Sequence, residues 1–199
     1  MFIELLYNYC KSAMNIFKFY GSLVRRYPTL VQSLQAGSLM AVGDITSQVC
    51  IERRSGHQFE WARPARFFVL GTCIVGPTLK VWYGYLDRWF GAQGRRGAFK
   101  KVLVDQALFA PTFTVVFLTS LGVLQRKSFG QIKEQIKRDY VDIVLAGYMV
   151  WPAVQVVNFS YVPLHLQVLV VQTFALFWNT YLAWKTNREL EASPDLDKR

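Results

Sequence analysis

Residues 139–184 read DYVDIVLAGYMVWPAVQVVNFSYVPLHLQVLVVQTFALFWNTYLAW, a run of 46 residues that contains no Lys or Arg. Two further runs, 27–52 with 26 residues and 102–125 with 24, also lack basic side chains. A bilayer core is about 30 Å thick and takes about 20 helical residues to cross. Each shorter run is therefore long enough for one membrane span, and residues 139–184 are long enough for two.

A further apolar segment lies between the two shorter runs. Residues 67–79 carry no charged side chain and continue through Lys80 into the aromatic run 81–86, which is typical of a membrane interface. The sequence thus predicts an all-α, polytopic membrane helix bundle with four to five hydrophobic helices. A soluble all-helical protein with very apolar core helices is the alternative, but such helices rarely avoid Lys and Arg so consistently.

Composition supports a membrane protein and argues against other classes. Hydrophobic residues make up 52% of the 199 residues and charged residues 18%, whereas soluble domains contain about 25% charged residues. A net charge of +10 would suit a nucleic-acid binder, but basic residues between spans contact lipid headgroups and set topology. Because no zinc-finger, RRM or homeodomain pattern is present, we expect the lipid bilayer as partner and no nucleic acid contact.

Residues that carry enzyme and metal chemistry are scarce. The three cysteines are widely spaced and the two histidines have no second ligand nearby, so neither a metal site nor a disulfide scaffold is predicted. The sequence contains no nucleophile elbow, Walker loop or HExxH pattern. It therefore predicts no cofactor and no enzymatic activity.

The N-terminal segment has one polar stripe along an otherwise apolar helix. Glu4, Lys11, Lys18 and Arg25 recur every seven residues, as expected for an amphipathic helix that lies in the membrane interface. A cleaved mitochondrial presequence is the alternative. The chain is therefore divided into an amphipathic segment 1–28, a single helix-bundle domain 29–185 and a polar tail 186–199.

The first predicted span combines small residues with an acid. Ser33, Gly37 and Ala41 stand four residues apart, a spacing that lets helices approach closely in lipid. Asp44 and Gln48 continue the same face. A carboxylate inside a span costs about 2.5–3.5 kcal/mol, so we expect Asp44 to meet a polar or basic partner from another helix. The predicted partners are Lys80, Arg88, Gln155 and Asn158.

Other polar side chains and prolines interrupt the apolar segments. Asp105 and Gln106 lie in the first turn of the third span, and amides follow in the last stretch. Such groups line a path for solutes or form interhelical hydrogen bonds, and irregular backbone at this depth is tolerated where it lines a cavity. The pore-lining or interhelical candidates are Asp44, Gln48, Lys80, Asp105, Gln106, Gln155, Asn158 and Asn179, and the predicted helix breaks are Pro77, Pro111, Pro152 and Pro163.

Many of these residues fall in motifs that run in order across about 150 residues. The motifs are AGSLMAVGDITSQ (36–48), VGP (75–77), WYGYLDR (82–88), KKVLVDQALFAP (100–111), WPAVQVVNFSYVPLH (151–165) and WNTYLAWK (178–185). In wording and order they resemble the Mpv-seventeen / peroxisomal membrane protein family of organelle membrane proteins.

The resemblance implies an integral protein of the mitochondrial inner membrane, with the peroxisomal membrane as the alternative. It also implies a channel for small solutes or metabolites and a contribution to mitochondrial homeostasis and DNA maintenance. A non-conducting membrane scaffold or biogenesis factor, in which the polar residues only bridge helices, is the alternative function. Because four or five helices form a tight bundle, a wide path would need a homo-oligomer.

Overall fold

A computed structural model describes residues 21–23, 25–90, 94–161 and 164–188. Within these ranges the chain is helical and contains no β-strand. The predicted amphipathic helix in segment 1–28 lies almost entirely outside the described residues, as do Pro163, the side chain of Asn158 and most of the polar tail. The described residues therefore cover nearly all of the predicted bundle.

The described chain forms five helical rods. The first is α1 (Pro28–Thr46), extended by a π-helical turn (Ser47–Ile51). After a short 3-10 turn (Gly56–Gln58), the second rod joins α2 (Ala62–Leu70), a π turn (Gly71–Val75) and α3 (Gly76–Phe90). The third rod joins α4 (Gly94–Val104), a π turn (Asp105–Phe109) and α5 (Ala110–Leu124). The fourth and fifth rods are α6 (Phe129–Tyr161) and α7 (Leu164–Asn187).

Successive rods run in opposite directions. Arg63 at the start of α2 contacts Asp44 near the end of α1, and Lys185 near the end of α7 contacts Asp142 in the first half of α6. The bundle thus has two ends, which we call the Pro28 end and the Asn187 end after the first residue of α1 and the last residue of α7. The first, third and fifth rods run toward the Asn187 end, and the second and fourth run back.

Three helices among the described residues are long and apolar enough to cross a membrane, namely Ala62–Phe90, Phe99–Leu124 and Phe129–Val157. They confirm the prediction of an all-α membrane helix bundle. The predicted first span also forms one helical rod, but Gln32 and Gln35 add to Asp44 and Gln48 and make it less apolar than these three. Its contacts with α2, α3 and α7 explain why a more polar helix is tolerated at this place.

Pro77 and Pro111 each follow a π-helical turn. A proline lacks an N–H group, and its ring clashes with the carbonyl four residues earlier, which here belongs to Cys73 or Ala107 within the π turn. The extra residue of a π turn widens the helix at this point, so the rods continue past both prolines. α6 likewise continues through Pro152. The irregularities predicted at Pro77 and Pro111 are therefore π turns within continuous rods, whereas the break predicted at Pro152 is not present, because the α-helix runs through that residue.

α1 packs against the second rod through small residues. A Cβ atom on Gly71 would lie 2.5 Å from the Cα of Gly37, and one on Gly76 would lie 2.5 Å from the Cα of Ser33. The two backbones are thus in direct contact where side chains are smallest. The predicted small-residue face of α1 is confirmed at Ser33 and Gly37, both of which are buried.

The apolar core lies toward the Asn187 end. It joins α1, α2, α5, α6 and α7, and it closes the bundle on that side because its side chains are almost completely buried. Toward the Pro28 end the rods instead surround a cavity. The core consists of Met40, Phe67, Leu70, Phe117, Leu118, Leu121, Ile143, Leu182 and Ala183.

Candidate functional site

A cavity of about 630 Å³ lies in the middle of the bundle. Its walls come from α1, the second and third rods, α6 and α7, so all of its lining belongs to a single chain, and the cavity is partly open to the surroundings. Aromatic and aliphatic side chains form most of the wall. The polar residues that line the cavity are Tyr83, Lys101, Asp105, Gln106, Thr114, Gln155, Gln172 and Asn179.

Much of this polar lining lies in one layer. Tyr83, Asp105, Gln155 and Gln172 stand about six to eleven residues from the Pro28 end of their rods, which corresponds to about 9–16 Å at the helical rise of 1.5 Å per residue. Four different rods thus contribute one polar side chain each. An acid and amides at this depth face the bundle interior, as polar side chains of membrane helices usually do.

Asp105 is held by two neutral donors. The Trp82 indole Nε1 donates to Oδ1 at 2.7 Å, and the Gln106 amide Nε2 donates to Oδ2 at 3.0 Å. The Trp82 ring also stacks on Phe109, with ring centroids 5.0 Å apart. Asp105 and Phe109 are the two ends of the same π turn, and such turns are frequent at functional sites. These contacts join α3 to the third rod beside the cavity.

Two amide oxygens beside the cavity have no hydrogen-bond partner among the described residues. They are the Oε1 atoms of Gln106 and Gln155, and both atoms are buried in residues that line the cavity. Leaving a buried acceptor unpaired costs about 1–3 kcal/mol. Both oxygens are closed off from water in this geometry, so a donor group in the cavity would reach them only after the amide side chains rotate.

Four apolar side chains close the cavity toward the Asn187 end. They come from four different rods, and each exposes at most 7% of its surface. The cavity therefore ends, beyond its polar layer, at an apolar layer that is continuous with the core. This apolar layer consists of Met40, Phe117, Ile143 and Leu182.

A separate ion-pair network joins α1 to α2 at the Asn187 end. Arg63 donates from Nη2 to Asp44 Oδ1 at 3.0 Å and from Nη1 to Glu52 Oε2 at 2.6 Å. Gln48 donates from Nε2 to Asp44 Oδ2 at 2.8 Å and accepts the backbone N–H of Glu60 at 2.9 Å. Asp44 and Gln48 are 0% exposed and Arg63 is 1% exposed. The network thus buries one cation with two carboxylates and ties the intervening loop to both helices.

The sequence predicted Lys80, Arg88, Gln155 or Asn158 as the partner of Asp44, whereas the structure pairs Asp44 with Arg63. Because α2 directly follows α1 in the opposite direction, the start of α2 reaches the depth of Asp44. Lys80 lies toward the other end of the bundle, where its Nζ donates to the Thr29 hydroxyl, and Gln155 lines the cavity. The counter-ion of Asp44 therefore comes from α2, the antiparallel neighbour of α1.

The polar candidates predicted from the sequence fall in three places. Asp44 and Gln48 belong to the ion-pair network and do not line the cavity. Lys80 contacts the start of α1, and the side chain of Asn158 lies outside the described residues. The cavity brings together Asp105, Gln106, Gln155 and Asn179.

Arg63, Tyr83 and Gln172 are site residues that were not among the predicted candidates. The sequence did carry a signal for Arg63. Proline is favoured in the first turn of a helix, so Pro64 indicates a helix that starts before it and includes Arg63. Tyr83 lies in a run of aromatic residues, and no sequence pattern there indicates which ring borders the cavity.

A second polar cluster ties α6 to α7 at the Asn187 end. The Lys185 Nζ contacts Asp142 and lies 3.9 Å from Asp139 Oδ1. The Gln135 Nε2 donates to the backbone oxygen of Thr186 at 3.5 Å. Lys185 is 3% exposed and Asp139 is 0% exposed. The two networks therefore hold two helix pairs together at the end where the cavity is closed.

Glu52 directly follows the π turn that ends the first rod. The pKa of its carboxyl group is lowered from the usual range of glutamate. Burial alone would raise the pKa, but the hydrogen bonds and charge of Arg63, the Ser47 hydroxyl and the charge of Arg54 outweigh burial. Since the folded-state pKa is the lower one, this stabilisation is present above the unfolded-state pKa of about 4.3. It is lost as the pH falls through the folded-state pKa.

We expect Glu52→Gln to remove part of this pH dependence. The unfolding temperature of the purified protein in detergent, measured between neutral pH and about pH 3, should start lower in the variant and fall less on acidification. Glu134→Gln removes an exposed carboxylate of a surface pair and should follow the wild-type curve, because exposed pairs contribute little. Identical slopes for wild type and Glu52→Gln would contradict the role of this carboxylate.

Comparison with known proteins agrees with the fold and with the motifs. A model of the Mpv17 / PMP22 family matches residues 122–183. "Mitochondrial inner membrane protein Mpv17" of Xenopus laevis is 42% identical over 175 residues, covering 87% of this chain and 98% of that protein. The protein of the same name from Homo sapiens is 41% identical, covering 88% and 99%. "Protein SYM1" of Gibberella zeae is 34% identical, covering 84% and 95%.

No solved structure matches the chain. The relatives named above nevertheless cover most of its length at identities of 34–42%. Several are named for the mitochondrial inner membrane, which confirms the predicted localisation. With the matching family model and the apolar helices, these findings show that the chain is a mitochondrial inner membrane protein that belongs to the Mpv17 / PMP22 family.

Proposed function

We propose that this protein conducts small solutes across the mitochondrial inner membrane through its central cavity. The observation that carries the proposal is the cavity itself, about 630 Å³ lined by the rods of one chain, with an acid and several amides in its wall. Polar side chains inside membrane helices are costly and mark solute paths where they face a cavity. A volume of this size accommodates a small molecule.

The polar layer favours a solute that carries hydrogen-bond donors or positive charge. Gln106 and Gln155 each hold a buried amide oxygen without a partner among the described residues, and Asp105 is paired there only with neutral donors. Lys101 also lines the cavity, but its Nζ is paired with Asp87 at 2.6 Å. Any charge selectivity of the path is therefore expected to depend on Asp105 rather than on Asp44, which lies outside the cavity.

The apolar layer is the gate in this proposal. Hydrophobic constrictions stop ions and polar solutes because water leaves the narrow apolar segment. In the structure this layer separates the polar layer from the Asn187 end. Opening it would require the four rods that contribute to it to separate locally.

We expect Phe117→Leu to raise the conductance of the purified protein in planar bilayers severalfold, because a smaller side chain widens the apolar layer. Phe117→Ala should raise conductance further, but it also costs about 3–5 kcal/mol of stability, so unfolding must be followed in parallel. Val116→Ala is the matched control, since Val116 exposes 42% of its surface and does not line the cavity. Unchanged conductance in a folded Phe117→Leu protein would contradict the gate.

A non-conducting scaffold or biogenesis factor is the alternative function. The two ion-pair networks suit it, because they act only between helices. Such a protein would show no conductance at any voltage in the same bilayers. For either function we propose a role without enzymatic activity.

A contribution to mitochondrial homeostasis and DNA maintenance would follow from solute movement, without contact to nucleic acid. Because the cavity lies within one chain, the proposed path does not require a homo-oligomer. Assembly of several copies stays a prediction from the sequence.

A further inference from the structure

Lys80 differs from three other cations within the described rods. Arg63, Lys101 and Lys185 each contact a carboxylate. The Lys80 Nζ instead donates to the hydroxyl of Thr29, a neutral group, and no carboxylate among the described residues pairs with it. It belongs to a helix that is long and apolar enough to cross a membrane. A cation at such a place without a counter-ion attracts an anion from its surroundings.

Further positive charge comes from the residues that precede α1. Arg25 and Arg26 lie about one helical turn before Thr29, and both are exposed. Helical backbone hydrogen bonds continue across Tyr27 into α1, and the Arg26 guanidinium lies 5.4 Å from the centroid of the Tyr27 ring. Because the first two rods are antiparallel, residues before Thr29 lie beside those that follow Lys80. Basic side chains of two rods therefore lie at the same end of the bundle, the Pro28 end.

The surface of α3 is open at this point. A Cβ atom added to Gly84, one turn after Lys80, would meet no atom within 4 Å. Arg88 follows one turn further on and is exposed. Leu30 and Val81, which follow Thr29 and Lys80 directly, expose 56% and 58% of their surfaces. Arg25, Thr29, Lys80 and Arg88 thus form a basic notch. This notch borders the exposed apolar side chains of α1 and α3.

We propose that this notch, formed by Arg25, Thr29, Lys80 and Arg88, binds the headgroup phosphate of an anionic phospholipid in the surrounding membrane. Lysine and arginine form strong charge-assisted hydrogen bonds to phosphate oxygens, and basic pockets between membrane helices bind anionic headgroups. The acyl chains would lie along the exposed apolar side chains of α1 and α3. Lys80 does not line the cavity, so the lipid site is independent of the proposed solute path.

The test uses the full chain, purified in an uncharged detergent and titrated with one of three ligands. These are phosphatidylglycerol, phosphatidylcholine with the same acyl chains, and inorganic phosphate. A ligand that binds only the folded state raises the unfolding temperature in proportion to the logarithm of its concentration above the dissociation constant. We expect phosphatidylglycerol to raise the unfolding temperature, and we expect phosphatidylcholine and inorganic phosphate to leave it nearly unchanged.

Variants test whether the notch is responsible for the shift in unfolding temperature. Arg25→Gln/Lys80→Gln should lose at least half of the shift caused by phosphatidylglycerol, whereas Lys80→Arg keeps the charge and should keep the shift. Lys133→Gln/Lys137→Gln removes two exposed charges near the Asn187 end and should respond like wild type. Equal shifts with both lipids, a full shift in Arg25→Gln/Lys80→Gln, an equal loss in the control, or an equal response to inorganic phosphate would overturn the proposal.

Discussion

Arg63→Met is expected to lower the free energy of unfolding by about 3–5 kcal/mol, because removing one partner of a buried ion pair leaves uncompensated charge. Arg63 is 1% exposed and contacts Asp44 and Glu52 at the same time. Methionine fills much of the volume, so the loss measures charge and hydrogen bonding more than packing. Denaturant unfolding of the purified protein in detergent micelles gives the difference.

Two further variants distinguish the contribution of the ion-pair network to stability from general effects of charge. Arg53→Met removes an exposed guanidinium from the same loop and should change stability by less than about 0.5 kcal/mol. Asp44→Asn/Glu52→Gln/Arg63→Met removes all three charges together and should be more stable than Arg63→Met alone. If Arg63→Met unfolds like wild type, the network does not hold α1 to α2.

Gly71→Ala is expected to cost about 2–3 kcal/mol, near the upper range for overpacked sites. The new methyl group would lie 2.5 Å from the Cα and 2.7 Å from the backbone nitrogen of Gly37. Neither atom belongs to a side chain that could rotate away, so α1 and the second rod would have to separate. The loss should appear as a lower unfolding temperature and a lower free energy of unfolding in detergent.

Gly84→Ala provides the matched control on the same rod. The substitution is identical, but no atom lies within 4 Å of the added methyl group. Replacing glycine by alanine inside a helix is favourable by up to about 1 kcal/mol, so this variant should be as stable as wild type or more stable. Equal stabilities of Gly71→Ala and Gly84→Ala would show that the backbones are not in close contact at Gly71.

The membrane class of the protein was predictable, because it depends only on how charges are distributed along the chain. The long run 139–184 without Lys or Arg became the larger part of α6 and α7. The small residues Ser33 and Gly37 were predicted as a packing face from their spacing alone, and the structure places both against glycines of the second rod. In each case the property belongs to one helix and needs no knowledge of its neighbours.

The partners of the polar residues were not predictable in the same way. The cost of placing a carboxylate within a span shows that Asp44 needs a partner, but it does not indicate which helix provides one. Helical periodicity places Asp44 and Gln48 on one face, yet only the order of the rods shows that this face meets the start of α2. Asp105 has the same side chain as Asp44, and it borders the cavity instead.

By itself, the sequence determined that the chain is a family member built from apolar helices, with small residues on α1 and polar groups at membrane depth. Composition, periodicity and motif order are local or one-dimensional properties, so they can be read along the chain. Only the tertiary structure decided that Arg63 neutralises Asp44, that Lys80 meets Thr29, and that Asp105, Gln106, Gln155 and Asn179 surround one cavity. These groupings depend on the direction and register of neighbouring rods, which packing between distant segments sets.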